Sequence, residues 1–531
     1  MSKQRASFWI GLFFAALTVI GLLTVPQYGM PVDEPAEQVI LLENIKEYAI
    51  RFCGEPSEAV RRLDAMGVGR ISESIERDHG ECAYYLAAPL LLLGDSAPDT
   101  LMALWHAYTW LWFMAGVVAL YHVARALSFG RPVACATALL LYLSPRFFAE
   151  GHYNNKDVVL LSLVLWTLAA GIRFHQAPTV RHAVFFALAG AMAANTKIIG
   201  LLPWGLVGLA TLARLVATRT LTRRHLWGGL AAIAFTAGFY VLLTPALWAD
   251  PPGYVRYLVD NATGFSRWTG VVLYRGAYYD PSRGLPLPHS YLPVMILLTV
   301  PLATLALAAF GQLNALRLIF RGDERRPLLL AVTALWLIPV LYVVWRQPLM
   351  YNGWRHFYFL YAAVAVMGGL GLDTLAGLVR GKPTLQRLGG FALAGMLAFQ
   401  AVGIAWNHPF QYAYYNPLAG DVSQRYELDY WGVSTLTALR RLCQTEGGTA
   451  DSPLTVGAPD EMSLLNLRYG YPNLSAAQRA GLKITTDTDA AYLFENTMYA
   501  RMYDVAVPAG YVPLFSCTSY GHTLCTVYRR Q

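Results

Sequence analysis

Long apolar stretches alternate with short polar connections over the first three quarters of the chain. Most of them approach the roughly 20 residues that an α-helix needs to cross the hydrocarbon core of a bilayer, and the pattern predicts about eleven spanning helices. They fall at residues 8–25, 100–124, 133–143, 158–172, two within 183–216 that are hinged near Asn195, 226–247, 291–316, 328–344, 357–378 and 388–406. The expected fold class is therefore mainly α, a polytopic transmembrane helix bundle.

Three longer segments are polar enough to lie outside the membrane. Residues 26–83 carry charged and apolar positions with a helical period, which is typical of amphipathic helices at the membrane interface. Residues 249–290 are rich in Pro, Gly, Tyr and Trp and are expected to form an ordered loop. Residues 407–531 follow the last span and are far more polar than the rest, so the chain divides into a membrane domain, 1–406, and a C-terminal domain.

The C-terminal domain also contains segments with the residue pattern of β-strands. Short runs of apolar and β-branched residues predict strands, and helical stretches lie between them. The strand-like runs are 454–456, 491–494 and 523–528. A small α/β extracytoplasmic domain is therefore expected at residues 407–531.

The Lys and Arg residues of the short connections set the orientation, because cationic loops remain on the cytoplasmic side. Lys3 and Arg5 precede the first span, and further cations occupy alternate connections, for example Arg125, Arg131, Arg173, Arg181, Arg223, Arg224, Arg325, Arg326, Arg380 and Lys382. The N-terminus is expected inside. After an odd number of spans the C-terminal domain is expected outside a bacterial cytoplasmic (inner) membrane.

The composition excludes an ordinary soluble protein. Of the 531 residues, 56% are hydrophobic and 14% are charged, against roughly 25% charged in a typical soluble domain. The net charge of +8 is carried by loop residues between apolar stretches, so it has a topological meaning and predicts no nucleic-acid partner.

Five of the six cysteines map outside the spans, to a compartment that permits disulfides. Cys53 with Cys82 is one candidate bridge, and Cys517 with Cys525 or Cys443 is another. The connectivity stays open. No cysteine spacing resembles a zinc site.

Ionisable residues gather at the outer ends of the predicted helices. Asp33 and Glu34 follow the first span, and one carboxylate there could take a proton from a hydroxyl while its neighbour orients a ligand. The run 144–157 between the third and fourth spans carries Arg146, Lys156 and Asp157. Each group, taken alone, is also typical of helix caps and of interfacial cations.

A third group lies before the predicted helix 357–378. Arg355 and His356 stand among aromatic residues there, and a guanidinium can hold a phosphate with paired donors. Arg275 belongs to a similar mixture of cations and aromatic rings in the loop 249–290. Carboxylates, cations and aromatic rings thus share one face of the bundle, which indicates a lipid-phosphate substrate.

At these residues the chain resembles polyprenyl-phosphate-sugar-dependent glycosyltransferases of the GT-C fold. The similarity is to the protein O-mannosyltransferase family (glycosyltransferase family 39) and its aminoarabinose transferase relatives. It is carried by Asp33-Glu34, by Ser144-Pro145-Arg146 through Lys156-Asp157, by Tyr351-Asn352-Gly353-Trp354-Arg355-His356-Phe357, and by the later runs 408–416 and 425–432.

The resemblance implies an inverting transfer of a sugar from a polyprenyl-phosphate donor to an acceptor hydroxyl. Asp33 would be the general base, Glu34 would assist, and Asp157 would shape the site. The departing phosphate would be held by Arg355 with His356, Arg146, Lys156 and Arg275. The acceptor is left open as a lipid, a glycan or a protein.

Two other classes of function remain open at this point. A flippase or transporter of the lipid carrier could use the same cations to hold a phosphate, and a non-catalytic assembly protein could bind partners through its outer domain. No cofactor is certain. A divalent metal is an open expectation, with Glu34, His79 and His152 as conceivable ligands without a supporting spacing.

Overall fold

The computed structural model describes residues 3–487 and 489–531, and most of this chain is helical. The helices are α1 (Lys3–Thr24), α2 (Glu34–Cys53), α3 (Glu58–Ala65), α4 (Pro98–Ala126), α5 (Arg131–Tyr142), α6 (Pro145–Tyr153), α7 (Asp157–Gln176), α8 (Val180–Thr196), α9 (Leu201–Ala217), α10 (Arg223–Leu243), α11 (Pro251–Gly264), α12 (Tyr291–Thr299), α13 (Leu302–Phe320), α14 (Arg326–Arg346), α15 (Tyr361–Leu378), α16 (Pro383–Trp406), α17 (Ser434–Glu446), α18 (Glu461–Gly470), α19 (Ala476–Ala480) and α20 (Thr497–Met502).

The bundle confirms a multi-pass membrane protein, with fewer full-length spans than predicted. In the described chain, nine helices are long and apolar enough to cross a membrane, or ten if the pair α5 and α6, bent by 69°, forms one span. The remaining predicted span is α8, which has 17 residues. The hinge expected near Asn195 is confirmed, because α8 ends at Thr196 and α9 begins at Leu201.

The predicted span 291–316 is two helices, which corrects the sequence interpretation. Helix α12 ends at Thr299 and α13 begins at Leu302, with Pro301 between them. Proline lacks the backbone N–H that would continue the helical ladder. The carbonyl groups freed at this break are bound by Asn416, whose side-chain amide donates to Leu297 O at 2.6 Å and Val300 O at 2.9 Å.

Helix α2 in the first long connection buries its charged side. Glu34, Glu37, Asn44, Lys46 and Glu47 are buried against protein together with Ile40 and Leu41, whereas Val39 and Phe52 of the same helix are exposed. A surface helix in water would keep such charged side chains exposed. Its charges therefore belong to the interior of this end of the molecule.

The C-terminal part contains a five-stranded mixed sheet in the order β4-β3-β5-β7-β6. Strand β3 runs parallel to β4 and β5, and β7 runs antiparallel to β5 and β6. These strands are β3 (Leu454–Gly457), β4 (Leu482–Ile484), β5 (Tyr492–Asn496), β6 (Tyr511–Ser519) and β7 (His522–Arg530), and a separate hairpin is formed by β1 (Val272–Tyr274) and β2 (Ala277–Tyr279). The expected small α/β unit is confirmed, with β4 and β6 added to the predicted strands.

The six cysteines are unbridged in the described chain, so the structure forms none of the candidate disulfides. Cys517 lies directly opposite Cys525 on the antiparallel pair β6 and β7. The buried Cys82 thiol points to the carbonyl of Met192 at 3.8 Å, and Cys53 is exposed. Of the proposed pairs, Cys517 and Cys525 are thus direct cross-strand neighbours.

Helices α13 and α15 pack backbone against backbone. A Cβ added to Gly311 would lie 1.8 Å from Met367 O, and one added to Gly371 would lie 2.3 Å from Leu307 O. Small residues allow such close approach in membrane helices, where packing and not the hydrophobic effect drives association. The contact fixes α15, which continues the segment that carries Arg355.

We expect Gly311→Ala to destabilise the protein by about 2 kcal/mol, because the added methyl group must push α13 away from α15. Thermal unfolding of the detergent-solubilised protein measures the effect. Gly395→Ala in α16 is the matched control, since a Cβ there meets no atom within 4 Å in the described chain. Equal unfolding midpoints for the two variants would contradict the close packing.

Candidate active site

A cavity of about 980 Å³ lies at the end of the bundle where α1 ends and α7 and α15 begin. Most of the predicted site residues line it, namely Asp33, Glu34, Lys156, Asp157, Arg355 and His356. Three connections that are distant in the chain therefore meet around one space, as the sequence predicted.

Asp33 stands at the N-terminal end of α2 and forms an ion pair with Arg355. Although Asp33 occupies the N-cap position, in the described chain its carboxylate accepts no backbone N–H group of the first turn. The Asp33 side chain is 40% exposed and lines the cavity, whereas that of Arg355 is 9% exposed. A capping role is thereby excluded for Asp33, and its carboxylate is accessible.

The Arg355 guanidinium is held between two aromatic rings. Its Cζ lies 4.7 Å from the ring centroid of Tyr351 and 4.5 Å from that of Trp431. Cation–π contacts orient a guanidinium while leaving its charge available. The segment Asn352–Leu360 that carries Arg355 is a tight 3-10 turn with a left-handed kink at Gly353, where φ is 68°.

Glu427 fixes this kinked segment from the C-terminal part. Its carboxylate accepts the backbone N–H groups of Leu273 at 3.2 Å and Gly353 at 3.1 Å, and the side-chain amide of Asn352. Burial raises the pKa of Glu427 to about 7, against the opposing effect of these hydrogen bonds. A Cβ at Gly353 would lie 2.5 Å from the Tyr430 hydroxyl oxygen, so a larger residue would displace the turn.

Glu34, the predicted assistant of Asp33, has a fully buried side chain. Its Oε2 lies 2.8 Å from Nε2 of His106 on α4, and its Oε1 accepts a hydrogen bond from Gln38 at 3.2 Å. The pair with His106 ties the start of α2 to α4. Glu34 therefore helps to position Asp33, beside which it lies in the cavity wall.

Lys156 lies between two buried carboxylates of the first long connection. Its Nζ is 2.9 Å from Glu37 Oε2 and 3.5 Å from Glu81 Oε1. Burial disfavours the ionised form of Glu37, but the Lys156 charge, together with hydrogen bonds from Glu81 and Lys156 and the charge of His79, lowers the pKa of Glu37 to about 2. Burial and the neighbouring Glu37 charge raise the pKa of Glu81. Lys156 thus neutralises Glu37, and of the two carboxyl groups Glu81 is the more easily protonated.

Asp157 begins α7 and forms an ion pair with Lys197, which stands in the break between α8 and α9. The backbone N–H of Asp157 donates to Asn154 Oδ1 at 2.8 Å, so Asn154 and not Asp157 caps this helix. Lys197 was missed as a site residue, because in the sequence it belongs to a hinge. The available signal was a lysine in the middle of the apolar stretch 183–216, where charged residues are rare.

The structure does not bring Arg146 or Arg275 to the cavity. Arg146 is buried behind it, 3.9 Å from Glu150 Oε1 and 3.5 Å from the Tyr430 hydroxyl. Arg275 lies in the exposed turn between β1 and β2 with a φ of 54°. Both cations were predicted from the motif or loop to which they belong. In the fold, neither lies with the motif residues that line the cavity.

Arg267 belongs to the same mixture of cations and aromatic rings as Arg275 and does line the cavity, although the sequence did not assign it to the phosphate site. It donates to Glu76 at 3.0 Å and Asp78 at 2.9 Å, and thereby joins the loop 249–290 to the first long connection. All three side chains line the cavity. Only the adjacent aromatic Trp268 marked this residue in the sequence, since its acidic partners are 189 and 191 positions away.

Nothing in the described chain assembles a metal centre from three or more His, Cys, Asp or Glu side chains. His79 lies 2.8 Å from Glu76, and His152 is stacked on the ring of Trp110 with centroids 4.2 Å apart. Glu34 is held by His106. The three conceivable ligands thus have separate partners.

One wall of the cavity is apolar. It is formed by side chains of α14, of the start of α9 and of the segment before α15: Ile198, Ile199, Leu202, Ile338, Pro339, Tyr342, Phe357 and Phe359. Ile199 and Ile338 of this wall are 37% and 48% exposed. An acyl or prenyl chain from the surrounding lipid would contact apolar side chains along this wall, up to the charged groups.

Residues 83–244 match the model of the family described as dolichyl-phosphate-mannose-protein mannosyltransferase. This is the family that the motifs resemble, so the resemblance is confirmed for this stretch, which includes the run 144–157. Asp33 and Arg355 lie outside the matched residues. No curated protein sequence matches the chain.

The chain is also similar to solved structures. ArnT from Cupriavidus metallidurans bound to undecaprenyl phosphate is 14% identical, with 98% of each chain covered and a TM-score of 0.47. An oligosaccharyltransferase from Archaeoglobus fulgidus, in complex with Zn and sulfate, is 14% identical over 96% of this chain and 73% of that one, with a TM-score of 0.46. At such low sequence identities the similarity concerns the fold alone.

We expect Glu427→Gln to remove a pH dependence of stability. The pKa of Glu427 in the folded protein is about 7, whereas the ordinary pKa of a glutamate, which applies to the unfolded chain, is 4.5. The wild type therefore loses about 3 kcal/mol relative to the variant as the pH rises from 4.5 to 7. Unfolding midpoints across this range measure the slope.

The exposed Glu55 provides the control for this series, since its side chain is 72% exposed. Glu55→Gln should keep the wild-type slope. A constant difference between wild type and Glu427→Gln from pH 4.5 to 7 would show that Glu427 titrates elsewhere.

Proposed function

We propose that this protein is an inverting glycosyltransferase that moves a sugar from a polyprenyl-phosphate donor to an acceptor hydroxyl. One observation carries the proposal: an accessible carboxylate, Asp33, is paired with an oriented cation, Arg355, at the polar end of a cavity with an apolar wall. A lipid-linked phosphate needs the apolar wall and the cation, and an acceptor hydroxyl needs the base.

The ion pair suggests how the donor prepares the base. The donor phosphate, a diester with one negative charge, competes with Asp33 for the Arg355 guanidinium, because guanidinium groups bind phosphate through paired donors. Asp33 is then freed from its partner beside the anomeric carbon. In the absence of donor the same carboxylate stays engaged.

The transfer itself is a single displacement. The acceptor oxygen forms a bond to the anomeric carbon while the bond from that carbon to the phosphate oxygen breaks, and the phosphate leaves with the bonding electrons. Asp33 takes the proton of the acceptor hydroxyl, and Arg355 balances the charge on the departing phosphate. Attack opposite to the leaving group inverts the anomeric centre.

The other charged groups of the cavity have distinct tasks in this proposal. Lys197, paired with Asp157, adds a second cation to the cavity wall. Lys156 is neutralised by Glu37 and organises the first long connection. Glu34 positions Asp33, and His356 lines the wall next to Arg355.

The proposed site lies at the outer face of a bacterial cytoplasmic membrane. The bias of Lys and Arg toward alternate connections supports this orientation, with residues 407–531 on the same side. The acceptor is a lipid, a glycan or a protein with a free hydroxyl group.

Asp33→Asn should lower turnover by about 10²- to 10⁴-fold, because the amide cannot accept the hydroxyl proton. Release of polyprenyl phosphate from a polyprenyl-phosphate sugar measures turnover by the purified protein. Asp250→Asn is the matched control, since Asp250 caps α11 through Gly253 N–H and lies outside the cavity. Full turnover by folded Asp33→Asn would refute the assignment of the base.

Arg355→Gln should weaken binding of bare undecaprenyl phosphate by about tenfold or more, since a charge-assisted contact is lost. Arg275→Gln should leave binding unchanged, because Arg275 lies outside the cavity. A binding titration in detergent or nanodiscs compares the two variants. The reverse order of effects would move the phosphate to the β1–β2 turn.

A further inference from the structure

Beside the Asp33–Arg355 pair, the cavity wall carries polar groups that the proposed chemistry does not use. Tyr153, Asn155 and Trp431 line the cavity and are 0%, 7% and 3% exposed. In the chain as described, the Tyr153 hydroxyl, the Asn155 Nδ2 and the Trp431 Nε1 have no hydrogen-bond partner. Buried polar groups are rarely left unpaired, because losing water without a replacement costs free energy.

These groups are contiguous with the ion pair. The Trp431 ring stacks on the guanidinium of Arg355, with Cζ 4.5 Å from its centroid. The Tyr153 ring meets the Trp431 ring edge to face, with centroids 6.0 Å apart. The carbonyl of Trp431 accepts the backbone N–H of Val32 at 3.0 Å, which ties it to the residue before Asp33.

The chemistry of the three groups is that of carbohydrate recognition. All are neutral and offer an O–H or N–H donor, and two are aromatic rings with an apolar body and a polar edge. A second phosphate would be expected to select cations, and an acyl chain would select apolar groups. Sugar hydroxyl groups match neutral donors held in an aromatic wall.

We propose that Tyr153, Asn155 and Trp431 form the subsite for the sugar ring of the donor. This inference rests on the proposed function. With the donor phosphate on Arg355, the sugar bonded to that phosphate lies against the next side chains of the wall, and these are Trp431 and Tyr153. Specificity for the sugar then depends on a residue of the C-terminal segment.

The test compares two probes on the purified full-length protein. One is undecaprenyl phosphate, and the other is a panel of undecaprenyl phosphates that carry mannose, glucose, galactose or 4-aminoarabinose. The wild type should bind at least one sugar-linked probe more tightly than the bare lipid phosphate. Tyr153→Phe should lose up to about tenfold of that preference and keep the affinity for bare undecaprenyl phosphate, and Trp431→Phe should lose a similar part of the preference.

Trp105→Phe is the matched control. The Trp105 indole N–H is likewise buried and, in the described chain, without a hydrogen-bond partner, but Trp105 does not line the cavity. This variant should retain the wild-type preference. Thermal unfolding identifies a variant that fails to fold, and Tyr153→Phe, which removes a single oxygen, then decides the matter.

The outcomes separate the two proposals. If the wild type binds no lipid phosphate at all, the proposed function fails. If it binds undecaprenyl phosphate but prefers no sugar-linked probe, or if Trp431→Phe and Tyr153→Phe both keep the preference, the sugar subsite is overturned while the phosphate site stands.

Discussion

The ion pair between Asp33 and Arg355 joins two parts of the chain that are separated by 322 positions. It is only partly exposed, at one end of a bundle of apolar helices, and an unpaired charge so placed is costly. Each partner therefore limits where the other can lie. The start of α2, the turn before α15 and the C-terminal segment around Trp431 are arranged around this contact.

Several buried interactions hold the segments that carry Asp33 and Arg355 in place. Glu427 holds the turn that carries Arg355, and Glu34 with His106 holds the start of α2. The Gly311 contact between α13 and α15 sets the helix onto which the turn leads. These groups need not touch a substrate to matter, because a small displacement of a charged pair changes what it can bind.

The sequence was a good guide to the helices and to the end of the bundle where chemistry lies. Apolar stretches of spanning length identify helices directly, and clusters such as Asp33-Glu34 stand out because charges near lipid are rare. The sequence could not show which residues contact each other in the folded protein. Glu427 pairs with Gly353 and Lys197 with Asp157 across distances set by tertiary packing, and Arg146 faces away from the cavity although its motif neighbours line it.

Asn416 has a consequence for how this molecule can be divided. Its side chain binds carbonyl groups at the break between α12 and α13, and Trp431 binds Val32 next to Asp33. The C-terminal part, residues 407–531, is therefore not a separate module that could be exchanged between homologues. A change in the C-terminal part alters the wall of the cavity, so the C-terminal part and the cavity must diversify together.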